Sequence, residues 1–190
     1  MRDKDIRVVL KSSNHFRKLM TDPTCKVVDE IEILQGRVRA DILVVNGHLH
    51  GYEIKSAYDD LARLPNQVLA YSKVFEYTSV VLAEKHLEPA RKLIPKWWGI
   101  YTIRDVRGQP LIVQIKREKK NINVDKFETI KLLWKNEILK ELDCRGLLDN
   151  KIKYKPKKVL WEKLAKSIST SEVMGVVRLN LKSRVNWRVA

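Results

Sequence analysis

The chain has 190 residues, 44% of them hydrophobic and 32% charged, with a net charge of +15. This length and composition allow one domain of ordinary size with a real core, plus an appendage. No apolar run approaches the roughly 18 residues of a membrane span, and the charged start from Met1 to Arg7 lacks a signal-peptide core. Cys25 and Cys144, with no CxxC spacing, fit a reducing cytoplasm and not a structural zinc.

The charge is unevenly spread. Residues 1–115 hold 18 Lys/Arg against 14 Asp/Glu (+4), and residues 116–190 hold 20 against 9 (+11). A basic region appended to a nearly balanced one points to a polyanion, most simply nucleic acid; the competing reading is a surface tuned for solubility.

Residues 2–20 read as one amphipathic helix with Ile6, Val9, Leu10, Phe16 and Leu19 as its apolar face. Residues 26–34 alternate as a strand, with Glu30 and Glu32 on one face. Asn46-Gly47 then separates two apolar runs, the strongest short hairpin signal in a sequence. The arms carry Asp41 on one strand and Glu53-Ile54-Lys55 on the next. A strict two-residue turn would pair Val45 with His48 and put the carboxylates of Asp41 and Glu53 on opposite faces. Bringing them together requires one extra residue, a three-residue turn or a bulge at Gly51. His48 and His50 lie near the turn, far from Asp41, and are expected to be exposed.

With Pro65 at its first position, a helix runs to about Glu76; if its turn begins early, Arg63, Gln67 and Tyr71, spaced by four, share one face, and Tyr71 reads equally as a core residue. Residues 78–83 form a short buried strand, 86–94 a helix, and Trp98–Ile103 and 111–116 two more strands. Trp97 and Trp98 read as packing residues. Past Lys116, Arg117-Glu-Lys-Lys-Asn reads as a polar linker. Helices are expected near 125–143, 157–167 and 171–184, the last opened by a Ser169-x-x-Glu172 capping box. The densest basic patch is Lys151, Lys153, Lys155, Lys157 and Lys158. The helices around it read equally as a small DNA-binding unit or as a lid on the sheet.

Helix, three-stranded meander, helix and strand, with Asp on the second strand and Glu-x-Lys on the third, resembles the PD-(D/E)xK endonuclease-like superfamily, in a bacterial and phage branch. The resemblance rests on Arg39-Ala40-Asp41, Gly51-Tyr52-Glu53-Ile54-Lys55-Ser56, Asp59, Arg63-Leu64-Pro65-x-Gln67 with Tyr71, and Trp97-Trp98-Gly99. It implies an α/β (α+β) restriction-endonuclease-like core, a mixed sheet flanked by helices in the order αβββαβ, over residues 1–118. A basic helical region over residues 119–190 would follow. It also implies Mg²⁺ or Mn²⁺ held by Asp41 and Glu53, with the Ile54 carbonyl, and by Glu30 as the upstream acid. Lys55 would be the catalytic lysine, and Gln67 and Tyr71 match the Gln-x-x-x-Tyr helix of RecB-type nucleases. Ala40 stands where many members have proline.

The expectation is therefore a divalent-metal-dependent nuclease hydrolysing DNA phosphodiesters. Asp41, Glu53, Lys55 and Gln67 form its catalytic set, and Arg63, Tyr71, Lys151, Lys153, Lys155, Lys157 and Lys158 are its nucleic-acid contacts. A non-catalytic nucleic-acid-binding module, or a phage or host protein-interaction module on the same fold, is the competing expectation. No membrane partner is expected, and the sequence does not fix the oligomeric state.

Overall fold

A computed structural model describes residues 1–185 and 187. Six strands, β1 (Lys26–Ile33), β2 (Val38–Val45), β3 (Leu49–Lys55), β4 (Tyr77–Ala83), β5 (Gly99–Val106) and β6 (Gln109–Lys116), form one sheet in sequential order. β1, β2 and β3 are antiparallel, β3, β4 and β5 run parallel, and β6 returns antiparallel to β5. The parallel centre requires crossover connections. These are α3 (Leu64–Val74) between β3 and β4, and α4 (Leu87–Leu93) between β4 and β5. The fold is thus a mixed sheet flanked by helices.

The hairpin between β2 and β3 has the extra residue that the carboxylate geometry demanded. Val45 pairs with Leu49, so Asn46-Gly47-His48 is a three-residue turn, with Gly47 at φ +69°. Gly51 stays in register; it is glycine for another reason. A Cβ there would lie 2.4 Å from the Phe75 ring. Gly51→Ala is expected to cost about 1–3 kcal/mol, by overpacking, measured by denaturant unfolding.

Each sheet face is covered. On one, α1 (Asp3–Ser12) and α2 (Asn14–Leu19) bury Ile6, Leu10 and Phe16 against Ile42, Tyr52 and Tyr101. The single expected helix over residues 2–20 is broken because Ser13 leaves helical geometry (ψ 155°) and caps α2, accepting from the Phe16 amide at 3.3 Å. On the other face, α3 and the C-terminal helices pack together. These are α5 (Lys126–Thr129), α6 (Lys135–Cys144), α7 (Lys157–Ser167) and α8 (Thr170–Ser183). Leu133, Ile138, Leu164 and Val177 lie in one apolar cluster with Leu43 and Val80, so the helices share the sheet's core, as a lid does. The expected helix 125–143 is interrupted where Leu133 and Trp134 turn extended. The Ser169–Glu172 capping box forms as expected, the Glu172 amide donating to Ser169 Oγ at 3.3 Å. No helix among the described residues is long and apolar enough to cross a membrane.

Candidate active site

With Ile42 opposite Tyr52 and Leu43 opposite Gly51, continuing the ladder sets Asp41 opposite Glu53. Asp41 stands where β2 changes its alternation. Ala40 and Leu43 both enter the larger cluster, while Ile42 enters the smaller one, and Glu30 across the ladder takes a left-handed φ of +55°. This twist leaves the Asp41 side chain 24% exposed, and its Oδ2 accepts the Ile54 amide at 2.7 Å.

Glu53 is almost wholly buried and is held by three donors. Lys55 Nζ and Gln67 Nε2 both donate to Oε1 at 2.6 Å, and the Tyr71 hydroxyl donates to Oε2 at 2.6 Å. Tyr71 Oη also accepts the Asp41 amide at 3.3 Å, so one phenol braces both carboxylate-bearing strands. Pro65 in the first turn of α3 starts the helix early enough to turn Gln67 and Tyr71 toward the sheet. Tyr71→Phe leaves a buried carboxylate oxygen without its donor, at an expected cost of about 1–3 kcal/mol in chemical unfolding.

Burial, reinforced by the neighbouring Glu53 charge, pushes the Asp41 carboxyl up to about 7, against the Ile54 hydrogen bond and Arg7. Two carboxylates forced together in a site with little water are what a hard cation relieves. A carboxylate accepts about four hydrogen bonds and Glu53 receives three, so a lone pair on Oε2 remains. Gln67 Oε1 is buried with no hydrogen-bond partner among the described residues, a free acceptor beside the carboxylates. The donor set therefore fits a divalent ion held by two protein carboxylates, its other positions left to water and substrate.

Two expectations are corrected. Glu30 stands across the ladder from Asp41, but its left-handed backbone turns the side chain outward. It is 47% exposed and paired with Arg39 at 3.4 Å, and no group of three or more metal-ligating side chains forms among the described residues. Tyr71 was expected to contact nucleic acid; it is fully buried and has no surface to offer. Arg63 is exposed at the mouth of α3. Burial alone would raise the nearby Asp59 carboxyl, but the hydrogen bonds from Ser56 and the charges of Lys55 and Arg63 outweigh it and hold it low. Lys151, Lys153, Lys155, Lys157 and Lys158 are all exposed, and none contacts Asp41.

Residues 10–188 match the family described as bacteriophage P4 protein cII. The chain belongs to this family. Protein cII of Enterobacteria phage P4 is 23% identical to it over 184 residues, covering 97% of this chain and 68% of the relative. No solved structure matches the chain.

The stretch matched to the cII family contains Asp41, Glu53, Lys55, Gln67 and Tyr71, but it leaves out one group that the fold brings to the site. Arg7 of α1 donates from Nη1 to the Asp41 carbonyl at 2.7 Å, and its Nη2 lies 3.8 Å from Asp41 Oδ1. Asp3 at 2.9 Å and Asp29 at 3.4 Å hold the guanidinium in place. Burial works against the Arg7 charge, yet these three carboxylates keep its pKa raised. In sequence Arg7 looks like part of a solvated helix face. The only signal is its spacing of four from Asp3.

Proposed function

We propose that this chain is a divalent-metal-dependent nuclease with a restriction-endonuclease-like core, hydrolysing DNA phosphodiester bonds at Asp41, Glu53 and Lys55. The observation that carries the proposal is the meeting of Asp41 and Glu53 across the β2–β3 ladder, with Lys55 on Glu53 and Gln67 beside it. Asp41 and Glu53, with the Ile54 carbonyl, would hold Mg²⁺ or Mn²⁺. The bound ion supplies charge neutralisation at the phosphoryl oxygens and a water acidic enough to attack.

The chain's own groups do the rest. Lys55 Nζ sits on Glu53 Oε1 in a buried position, placed to orient the attacking water and to hold a proton or balance charge as the bond breaks. Gln67 steadies Glu53 with its amide nitrogen and offers its free Oε1 to a water. Arg7 neutralises the outer side of Asp41. Tyr71 fixes the spacing between the strands.

Substrate reach comes from the surface. A groove of about 860 Å³ runs from Glu30 and Arg39 past Lys131 to Lys157 and Trp161. None of the five lysines from Lys151 to Lys158 forms an ion pair among the described residues, which leaves their charge for a phosphate backbone.

The test is cleavage of linear, nicked, single-stranded and circular DNA with Mg²⁺, Mn²⁺ or EDTA, beside Asp41→Ala and Lys55→Ala. Metal-dependent cutting absent from both variants is expected. A second reading has its own support, because Lys55, Gln67 and Tyr71 satisfy most of the hydrogen-bonding capacity of Glu53 from within the chain. A non-catalytic nucleic-acid-binding module, or one that docks a phage or host protein, needs no more than that. For nucleic acid it predicts metal-independent, salt-sensitive binding that is equal in all three proteins.

A further inference from the structure

On the sheet face opposite Glu53 lies a cavity of about 470 Å³ that the active-site reading does not use. It is lined by Asn46, His48, His50 and Tyr77 on one side and by Arg117, Glu118, Lys119 and Lys120 on the other. His50 is three residues from Glu53 along β3, a separation of roughly 10 Å.

Its aromatic wall is fixed. His50, expected to be exposed, is buried and stacks on Tyr52 with ring centroids 4.2 Å apart. It contacts the Tyr52 hydroxyl through Nδ1 at 3.2 Å and Ser79 Oγ through Nε2 at 3.0 Å. The sequence signal was there: His50 alternates with Tyr52 and Ile54. Tyr77 packs edge-on against His48 at 5.0 Å. Glu76 Oε1 engages His48 Nδ1 at 3.2 Å, and Nε2 has no partner among the described residues.

The opposite wall is not the loose linker that its composition suggested. The Lys119 amide donates to the Trp97 carbonyl at 2.8 Å, and the Asn121 amide to the Glu76 carbonyl at 2.8 Å. The Asn121 side chain donates to the Ser72 and Phe75 carbonyls at 2.7 and 3.1 Å. This pinned strap carries Arg117, Lys119 and Lys120, without an ion pair among the described residues. Glu118 lines the cavity as well, its carboxylate held beside Gln114 and the Tyr101 hydroxyl, so one negative charge stands against these three cations. Burial and the positive neighbours Arg91 and Lys119 hold the Lys116 ammonium below its ordinary range, which fits positive charge in excess of its counter-charges here.

We propose that this cavity binds a nucleotide through its terminal phosphate. The phosphate monoester would lie against Arg117, Lys119 and Lys120, with the base on the His48 and Tyr77 rings. A dianion beside three cations on a pinned backbone, which outnumber the single carboxylate of Glu118, and beside a donor-capable imidazole is well matched, and flat rings next to it suit a base. The ligand is a free nucleotide or the 5′ end of a strand, since both present the same group.

The experiment uses the full chain in EDTA, which silences metal chemistry at Asp41. Probes are dTMP, a 5′-phosphorylated tetrathymidylate, the same strand with a 5′ hydroxyl, and inorganic phosphate. Calorimetry gives the affinities, and the His48 and His50 ring resonances report the location. We expect dTMP or the phosphorylated strand to shift those resonances and to bind at least about tenfold more tightly than the hydroxyl strand or phosphate alone. Lys119→Ala with Lys120→Ala should weaken that binding by about tenfold with an unchanged melting temperature, and Asp41→Asn should leave it intact. Binding by dTMP identifies a free-nucleotide site, and binding by the phosphorylated strand alone a strand-end site. The assignment is overturned if no probe moves the histidine resonances. Equal binding of phosphorylated and hydroxyl strands, phosphate binding as tightly as the nucleotides, or indifference to the double substitution would overturn it equally.

Discussion

Asp41→Asn is expected to stabilise the protein at pH 8 by about 2–4 kcal/mol while removing metal-dependent cleavage. The Asp41 carboxyl is held near 7, from an ordinary 3.8. The folded state therefore binds this proton more tightly than the unfolded chain does. That contribution is complete below pH 3.8, is lost as pH rises through about 7, and above that leaves an ionised carboxylate at a cost of about 1.4 kcal/mol per unit of displacement. Asparagine keeps an oxygen for the Ile54 amide and has no charge to desolvate. The gain should vanish near pH 4 and plateau above pH 7, in unfolding curves collected across that window. A variant that is no more stable than the parent at pH 8 would mean that Asp41 is not electrostatically strained. Opposite effects on stability and activity are the mark of a site whose charges are held together for a ligand.

Glu137→Ala is expected to cost about 3–5 kcal/mol, because it leaves a buried guanidinium without its partner. Arg184 Nε and Nη2 donate to the two oxygens of Glu137, each at 2.6 Å, and Nη2 also reaches the Leu132 carbonyl at 2.6 Å. The guanidinium carbon sits 4.1 Å from the Trp134 ring centroid. Glu137 additionally accepts the Trp134 amide at 2.7 Å, at the point where the expected long helix breaks. This pair clamps the end of α8 to the start of α6. Replacing both partners at once with apolar residues of similar length, Glu137→Leu with Arg184→Met, should recover most of the loss. A desolvated pair contributes little net stability once neither charge remains. Guanidinium unfolding midpoints of the single and double variants measure both effects. A single variant within about 1 kcal/mol of the parent would show that the clamp carries no stability.

Much of this architecture was readable in the sequence, because its decisive features are local. Asn46-Gly47 located the hairpin, and counting residues to Asp41 and Glu53 showed that one more was needed to bring them together. The three-residue turn supplies it. Ser169 and Glu172 marked the start of α8 directly. What escaped depends on backbone departures or long-range contacts. Regular alternation places Glu30 with the acids of the site, and its left-handed φ breaks that alternation. Ser13 reads as an interior helix residue, although its hydroxyl favours capping. Arg7 reaches Asp41 across 34 residues of chain, and no spacing rule covers that contact. Tyr71 reads equally as a core residue or a contact, and its phenol serves the site from within the core.

The most direct measurement is calorimetric titration of the intact protein with Mn²⁺ at pH 8, beside Asp41→Asn and Glu53→Gln. A single saturable site is expected in the parent, weakened at least about tenfold in either variant and weaker again at pH 6, where Asp41 is protonated. No saturable binding by the parent, or binding that neither substitution alters, would contradict the proposed metal site.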